Sequence, residues 1–421
     1  METGKITVSL AEERIVWGVL IYTYPIYLLG TTYVVGSLLG WLVFAVFMLR
    51  WFVDGKRTYS TTPIISHVWT VSMIGMLIVL WIGHADWNLG LGKTIKSSIG
   101  WMKGWALIPL FIWLGAVTEI KKEVIIRGAC VVGYHSAIFG LVTFVIYLTG
   151  FSGELYLSPL KAVGGPGDSF FDVSLYGMNP ETGGGRWSFF TPWAPAAGLF
   201  ACLLLLICVQ EEDESWRIKG IIGCAVMCLL CQSRAGWAVF LFLVPFIMAK
   251  RFVSEPWFFI VVGVAIPLVL SVGLPLIEYV LNSYEEVKAS RPASTRVRQT
   301  LANIALQRWQ AEAWFFGHGV VEPGPITVEG MPIGSHHTWY GLLFVKGFIG
   351  LLCLAIPLFL SVVALAVRSI VDKSAYLSLG MLIVLIGYSF FENLEILTNL
   401  IWPALFMIGA SLNPRKSVTT Q

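Results

Sequence analysis

The residues best suited to chemistry stand together in one stretch. Positions 276–338 form the only long polar segment, holding Arg291, Arg296, Arg298 and Arg308. The segment closes on Gly334-Ser335-His336-His337-Thr338-Trp339, where an apolar run begins. An imidazole titrates near neutral pH and can take a proton from a hydroxyl. A guanidinium fork grips anionic oxygens in pairs and keeps its charge. Cations clustered beside such a base predict a site that holds an anionic group and moves a proton. Adjacent residues at a helix start point about 100° apart, so one of His336 and His337 should face the cavity. A contiguous pair with no Asp, Glu or Cys close by is poor metal-ligand spacing, and neither metal nor other cofactor is expected.

The arginines are not equivalent. Arg296 and Arg298 are two apart, so on a helix they diverge and only one can point at a given ligand. Arg291 and Arg308 are open between a solvated face and a ligand contact. Arg234 is different, because Cys231-Gln232-Ser233-Arg234-Ala235-Gly236-Trp237 joins two apolar runs too close together for a real loop. A guanidinium there either snorkels to headgroups or faces a polar cavity and an anion, and the basic residues nearby favour the anion.

Other polar residues fit blander roles. His67 and His135 lie within apolar runs and are expected as satisfied core residues, and His84 as an interfacial partner of Asp86. His318, in Phe316-Gly317-His318-Gly319, belongs to a glycine-flanked turn. The acidic run Glu211-Glu212-Asp213-Glu214 reads as a solvated turn. The seven cysteines, Cys130, Cys202, Cys208, Cys224, Cys228, Cys231 and Cys353, all fall in apolar runs and read as small hydrophobes. Lys346 is an intramembrane cation that this chemistry does not place, except by snorkelling outward.

What must position these groups is a membrane bundle. Of 421 residues, 57% are hydrophobic and only 13% charged, with a mean hydropathy of +0.77. A soluble domain carries about a quarter charged residues. The net charge of +3 is too small to imply nucleic-acid binding. Runs near the 20 residues a bilayer requires number twelve: 15–30, 33–53, 64–83, 98–119, 128–150, 189–209, 217–233, 235–249, 257–277, 338–366, 375–391 and 396–412. The first follows Arg14 without a small-residue cleavage site and is expected to stay as a signal anchor.

Basic residues alternate between the connections. Lys5 and Arg14, Arg50, Lys56 and Arg57, Lys121, Lys122 and Arg127, Arg217 and Lys219, Lys250 and Arg251, Arg368 and Lys373, and Arg415 and Lys416 fall on one side. The positive-inside rule makes that side cytoplasmic, with both termini. Loops 151–188 and 278–337 then face outward, and Trp101, Trp105, Trp187, Trp193, Trp309, Trp314 and Trp339 form an outer aromatic belt. Within the second loop, Val297, Leu301, Ile304, Ala305 and Trp309 recur at helical spacing and predict an amphipathic helix over 295–314. The expectation is an all-α polytopic membrane protein, one integral domain over 1–421, with this loop between helices nine and ten carrying part of the site.

Four segments together resemble the O-antigen ligase family, which includes lipid A-core:O-antigen ligases and O-antigen or exopolysaccharide polymerases. Arg186-Trp187-Ser188-Phe189-Phe190-Thr191-Pro192-Trp193 is similar to the family's Arg-x-x-Gly-x-Phe-x-x-Pro-Asn, without the Asn. Ser233-Arg234-Ala235-Gly236 resembles its Ser-Arg-Gly/Ala motif. Arg298 through Phe316-Gly317-His318-Gly319 resembles its Arg…Pro-Leu-Phe-Gly-x-Gly stretch, with Trp314 where Pro is common. Ser335-His336-His337-Thr338-Trp339-Tyr340 resembles His-Asn-x-aromatic-Leu, His337 taking the Asn slot and Tyr340 the Leu.

The resemblance implies a GT-C-like fold and an inverting glycosyltransferase at the periplasmic face of a bacterial inner membrane. Its donor would be a glycan on undecaprenyl diphosphate, and its place lipopolysaccharide or polysaccharide biosynthesis. His336 and Arg234 would be catalytic, with Arg298, Arg296, Arg186, Arg308 and His337 binding diphosphate or glycan. Many membrane transferases with polyprenyl donors carry an acidic motif in the first outer loop. Here that loop is Gly30-Thr31-Thr32 and no Asp-x-Asp occurs, which favours metal-independent chemistry. The acceptor is lipid A-core for a ligase or a second lipid-linked glycan for a polymerase. A flippase for the same lipid is the alternative of another class. It predicts charges along a central path and an inverted repeat, neither of which the sequence displays. A purely structural membrane protein leaves the basic loop unexplained.

Overall fold

Hydrocarbon offers no partner to a free backbone N–H or C=O, so a chain this apolar crosses a bilayer as helices or a closed barrel. The computed structural model describes residues 8–54, 62–179, 183–253, 264, 292–328 and 330–413. The chain runs through α1 (Ala11–Ile21), α2 (Thr23–Leu28), α3 (Thr32–Asp54), α4 (Ile64–Asp86), α5 (Leu91–Lys103), α6 (Leu107–Val117) and α7 (Lys122–Leu148). Two small antiparallel pairs follow, β1 (Glu154–Leu157) with β2 (Asp172–Ser174) and β3 (Gly177–Met178) with β4 (Gly185–Arg186). Then come α8 (Ala194–Cys208), α9 (Glu214–Leu230), α10 (Arg234–Val253), α11 (Pro292–Glu312), α12 (Thr338–Ser369), α13 (Lys373–Tyr388) and α14 (Leu394–Leu412).

Six described stretches are long and apolar enough to cross a membrane: Thr32–Val53, Ile64–Asp86, Leu91–Val117, Lys122–Leu148, Thr338–Ser369 and Leu394–Leu412. The protein is an all-α polytopic membrane protein. Some expected spans are divided. The run 15–30 breaks at Tyr22, where Thr23 Oγ1 turns back to the carbonyls of Val19 and Leu20. The run 98–119 divides at Gly104 into α5, which buries no residue, and α6, which buries ten of eleven. The run 257–277, apart from Val264, lies outside the described residues, as does Arg291.

The bundle is centred on α6, α8 and α14, whose residues are buried nearly all round. Helix association in lipid depends on close packing, and α6 meets α14 through small residues. A Cβ on Gly115 would stand 2.0 Å from the Phe406 carbonyl oxygen, so only glycine lets these backbones approach. Elsewhere several polar expectations change. His67 is exposed on α4. His84 bonds to the Leu80 carbonyl and to Ser97 Oγ, since Asp86, two residues on, points to another face of the helix. Glu211 is buried and takes the Arg127 fork at 2.9 and 3.0 Å, while Asp213 caps α9, so the acidic run is a built helix start.

The longest apolar run is a broken helix. Gly347 has φ of 62° inside α12. The loop between α11 and α12 inserts residues 314–319 at this break. His318 N and Gly319 N donate to the carbonyls of Phe344 and Val345 at 2.8 and 2.9 Å. Phe348 N and Ile349 N donate to Trp314 and Phe315 at 3.0 and 3.2 Å. Backbone groups freed by the break are therefore satisfied by protein, the condition for irregular structure beside a bilayer. The expected amphipathic helix is α11. It lies across this region, with Leu301 and Ala305 buried against Leu80, Val328, Ile333, Phe344 and Val345.

Candidate active site

His337 caps α12. Its Nδ1 accepts from Tyr340 N at 3.3 Å, and its ring stacks on Tyr340 with centroids 3.9 Å apart. That bond requires Nδ1 to be unprotonated. Burial agrees with it and pushes the His337 imidazole down to about 4. His336 has no hydrogen-bond partner among the described residues. Burial, and then Arg298, push its imidazole down to about 4 as well. Both rings are thus neutral near pH 7, and His336 is the one whose nitrogens no cap engages.

Thr338, the next residue, is tied to the turn between α13 and α14. Its N–H donates to the Ser389 carbonyl at 2.9 Å, and Trp339 Nε1 donates to Ser389 Oγ at 2.8 Å. This turn carries Glu392, a carboxylate that motif and spacing did not pick out. Glu392 is only 3% exposed and accepts from Trp193 Nε1 at 3.0 Å. Burial pushes its carboxyl up to about 7, against the opposing pull of Arg298, the Trp193 bond and Arg186. One signal was available: Glu392 is an acid in the short gap between apolar runs 375–391 and 396–412, on the side of the basic loop.

The cations come from three elements. Arg298 projects from α11 and is exposed, as is Arg296 two residues before it. Arg298 acts electrostatically on both His336 and Glu392, whereas Arg296 acts on neither. Arg186 ends β4, and its Nε donates to the Cys231 carbonyl at 3.2 Å. Gln232 Nε2 donates to the Gly185 carbonyl at 2.8 Å, and Trp187 N to the Leu230 carbonyl at 3.2 Å. This strap holds the tight turn between α9 and α10, in which Gln232 has φ of 48° and Ser233 Oγ caps α10 through Gly236 N. Arg234 follows as the first, exposed residue of α10.

Two cations stand apart. Arg308 bonds Glu312 and Glu322 and lies over the Phe344 ring, so its fork is filled by protein carboxylates. Lys346 is 4% exposed and sits over the Trp105 ring, turned into the bundle. Arg298 thus acts electrostatically on both His336 and Glu392, Arg186 acts on Glu392, and Arg234 stands on the turn that Arg186 grips. The structure sets His337 to capping and Arg308 to clamping. The described residues contain no cluster of three or more His, Cys, Asp or Glu spaced to hold a metal ion.

Residues 220–355 match a protein-family model described as O-antigen ligase. The match supports an O-antigen ligase family assignment. It spans Arg234, Arg298, the inserted 314–319 loop and both histidines, and it leaves Arg186, Trp193 and Glu392 outside. No curated protein matches the chain.

Proposed function

We propose that the chain is an inverting glycosyltransferase that moves a glycan from undecaprenyl diphosphate to an acceptor hydroxyl at the periplasmic face of a bacterial inner membrane, with both termini cytoplasmic. What supports this reading most is Arg298, which acts electrostatically on both His336 and the buried Glu392, while Thr338 ties the histidine pair to the turn that carries Glu392. Arg298 and Arg234, with Arg186, grip the diphosphate oxygens. Arg296 lines the approach from the exposed side of α11. His337 fixes the start of α12 through its cap, directly after His336, and Arg308 holds α11 in place.

In the transfer, the acceptor oxygen attacks the anomeric carbon as its proton passes to His336. The bond from that carbon to the diphosphate oxygen breaks, and the diphosphate leaves with the electron pair. Guanidinium charge stabilises it as it forms. One displacement with one base inverts the anomeric centre. An imidazole held near 4 is a weak base in the free protein, but Arg298 is one of the two causes of that depression. A bound diphosphate neutralises Arg298, and His336 then gains proton affinity as the donor is seated.

The test is reconstitution. Purified protein in bilayer discs receives a lipid-linked glycan donor with either lipid A-core or a second lipid-linked glycan as acceptor. Glycan joined to lipid A-core marks the ligase, which we take as the reading, and glycan chains lengthened on the lipid carrier mark the polymerase. Translocation of the donor lipid that survives His336→Ala, with no transfer to either acceptor, would falsify the enzyme reading in favour of a transporter.

A further inference from the structure

His318 occupies the variable position of the Phe316-Gly317-His318-Gly319 turn, and its surroundings ask for more than a turn residue. The ring is 1% exposed and sandwiched between Trp87 and Phe344, with centroids 4.9 and 4.3 Å away. Both of its nitrogens face oxygen acceptors. Nδ1 lies 3.0 Å from the Phe344 carbonyl, and Nε2 lies 2.8 Å from Glu312 Oε2. A neutral imidazole carries one N–H and can satisfy only one of these. The other nitrogen's lone pair would then face an oxygen lone pair, on a ring that is itself closed to water although Glu312 is exposed.

We propose that His318 is a proton-dependent positioning residue: as an imidazolium it bolts the C-terminal end of α11 to the break in α12, and so sets where Arg298 stands relative to His336. The consequence for transfer rests on the function proposed above; the clamp itself does not. A proton placed instead on Glu312 gives the same count, because the pair holds one proton more than neutral imidazole plus carboxylate.

The charged groups around the ring fit this state. From α11, Glu312 accepts from His318 and Arg308, which hold its carboxyl below its usual range. Arg308 also pairs with Glu322 of the following loop and lies 5.1 Å over the Phe344 ring. From α4, His84 lies against Gly319 but is engaged with Leu80 and Ser97. From α12, Lys346 packs its backbone on Gly317 and sends its ammonium toward Trp105. Glu312 is therefore the one anion in contact with the ring among the described residues. The sign follows from the proton count. The closed clamp binds a proton that the open one releases, so closure is favoured at low pH and weakens as pH rises.

Glu312→Gln discriminates. A carboxamide N–H can donate to a neutral Nε2 while Nδ1–H still donates to Phe344, so this variant closes without the extra proton. Hydrogen–deuterium exchange of the 312–320 segment, in whole protein in bilayer discs, reads closure directly through the N–H groups of His318 and Gly319. After correction for intrinsic exchange, wild-type protection should fall about tenfold or more between about pH 6 and about pH 9. Glu312→Gln should hold its protection across the same range, and His318→Phe should be weakly protected at both ends. Glycan transfer by the wild type should fall over that range too, with Glu312→Gln keeping its activity. Equal wild-type protection at both pH values, or a Glu312→Gln profile that follows the wild type, overturns the proposal. Because exchange needs no substrate, that failure is distinct from a failure of the transferase reading.

Discussion

Thr338 Oγ1 donates to the Glu392 carbonyl at 2.7 Å and accepts from Leu394 N at 3.1 Å. One hydroxyl thus joins the first residue after the histidine pair to the turn that carries the buried carboxylate. Thr338→Val keeps the shape and removes both bonds, leaving a buried carbonyl and N–H without this partner. A loss of about 1–3 kcal/mol of stability is expected, with a fall in transfer, because His336 and Glu392 lose their common anchor. Thr338→Ser retains the hydroxyl and should retain most of both. Thermal unfolding and transfer assays of the two variants check this; equal behaviour of Val and Ser would remove the anchor from the account.

The two adjacent histidines should respond in opposite ways to substitution. His336→Ala removes the proton acceptor and is expected to lower transfer about 100-fold or more, with little change in unfolding temperature. His337→Ala loses a helix cap and should cost about 1 kcal/mol of stability. His337→Asn restores an acceptor at the cap and should recover that stability and most of the activity. Should His337→Asn abolish transfer while His336→Ala spares it, the assignment of base and cap is reversed.

Acid and base should each destabilise the protein, by different groups. His336 and His337 are pushed from 6.5 down to about 4, so the folded state binds fewer protons than the unfolded one between these values. Stability from both rings is present above about 6.5 and is lost as pH falls toward 4. Glu392 is pushed from 4.5 up to about 7, so the folded state keeps a proton that the unfolded state gives up. Stability from that carboxyl declines as pH rises across its window. Glu392→Gln should therefore stabilise the protein at about pH 8 relative to wild type, by up to about 3 kcal/mol, and change little at about pH 4.5. Unfolding temperatures at the two pH values decide it, and an equal shift at both would discard the buried-carboxyl explanation.

Local features were legible in the sequence, and contacts that depend on distant segments were not. The period of Val297, Leu301, Ile304 and Ala305 marked α11, because a helix lying on a bundle must show an apolar stripe. The pair at 336 and 337 marked the start of α12. Which ring caps the helix depended on Tyr340 and Phe390, one of them more than fifty residues away. Glu392 was missed because its significance comes from Trp193, Arg186 and Arg298 on three other elements. Glu211 was misread for the same reason, its partner Arg127 lying on α7. Arg308, open in the sequence between a solvated face and a ligand contact, bonds Glu312 one turn on and Glu322 in the following loop, a pairing that depends on how that loop folds back.

The break in α12 was equally hidden, since a glycine in an apolar run is ordinary in membrane helices. In the fold it is a junction. Gly347 adopts φ of 62°, and a Cβ there would stand 2.3 Å from the Phe315 carbonyl oxygen. Gly347→Ala therefore combines backbone strain of about 1–3 kcal/mol, in a conformation open essentially to glycine alone, with a collision against backbone that cannot rotate away. The inserted 314–319 segment must shift, and it is covalently continuous with α11, which carries Arg298. The variant should unfold several degrees lower and lose transfer, and its 312–320 segment should exchange faster at every pH. Gly92→Ala is the control, because nothing lies within 4 Å of a Cβ placed there on the exposed face of α5. If Gly347→Ala behaves like Gly92→Ala in all three measurements, the broken helix does not hold α11 over His336.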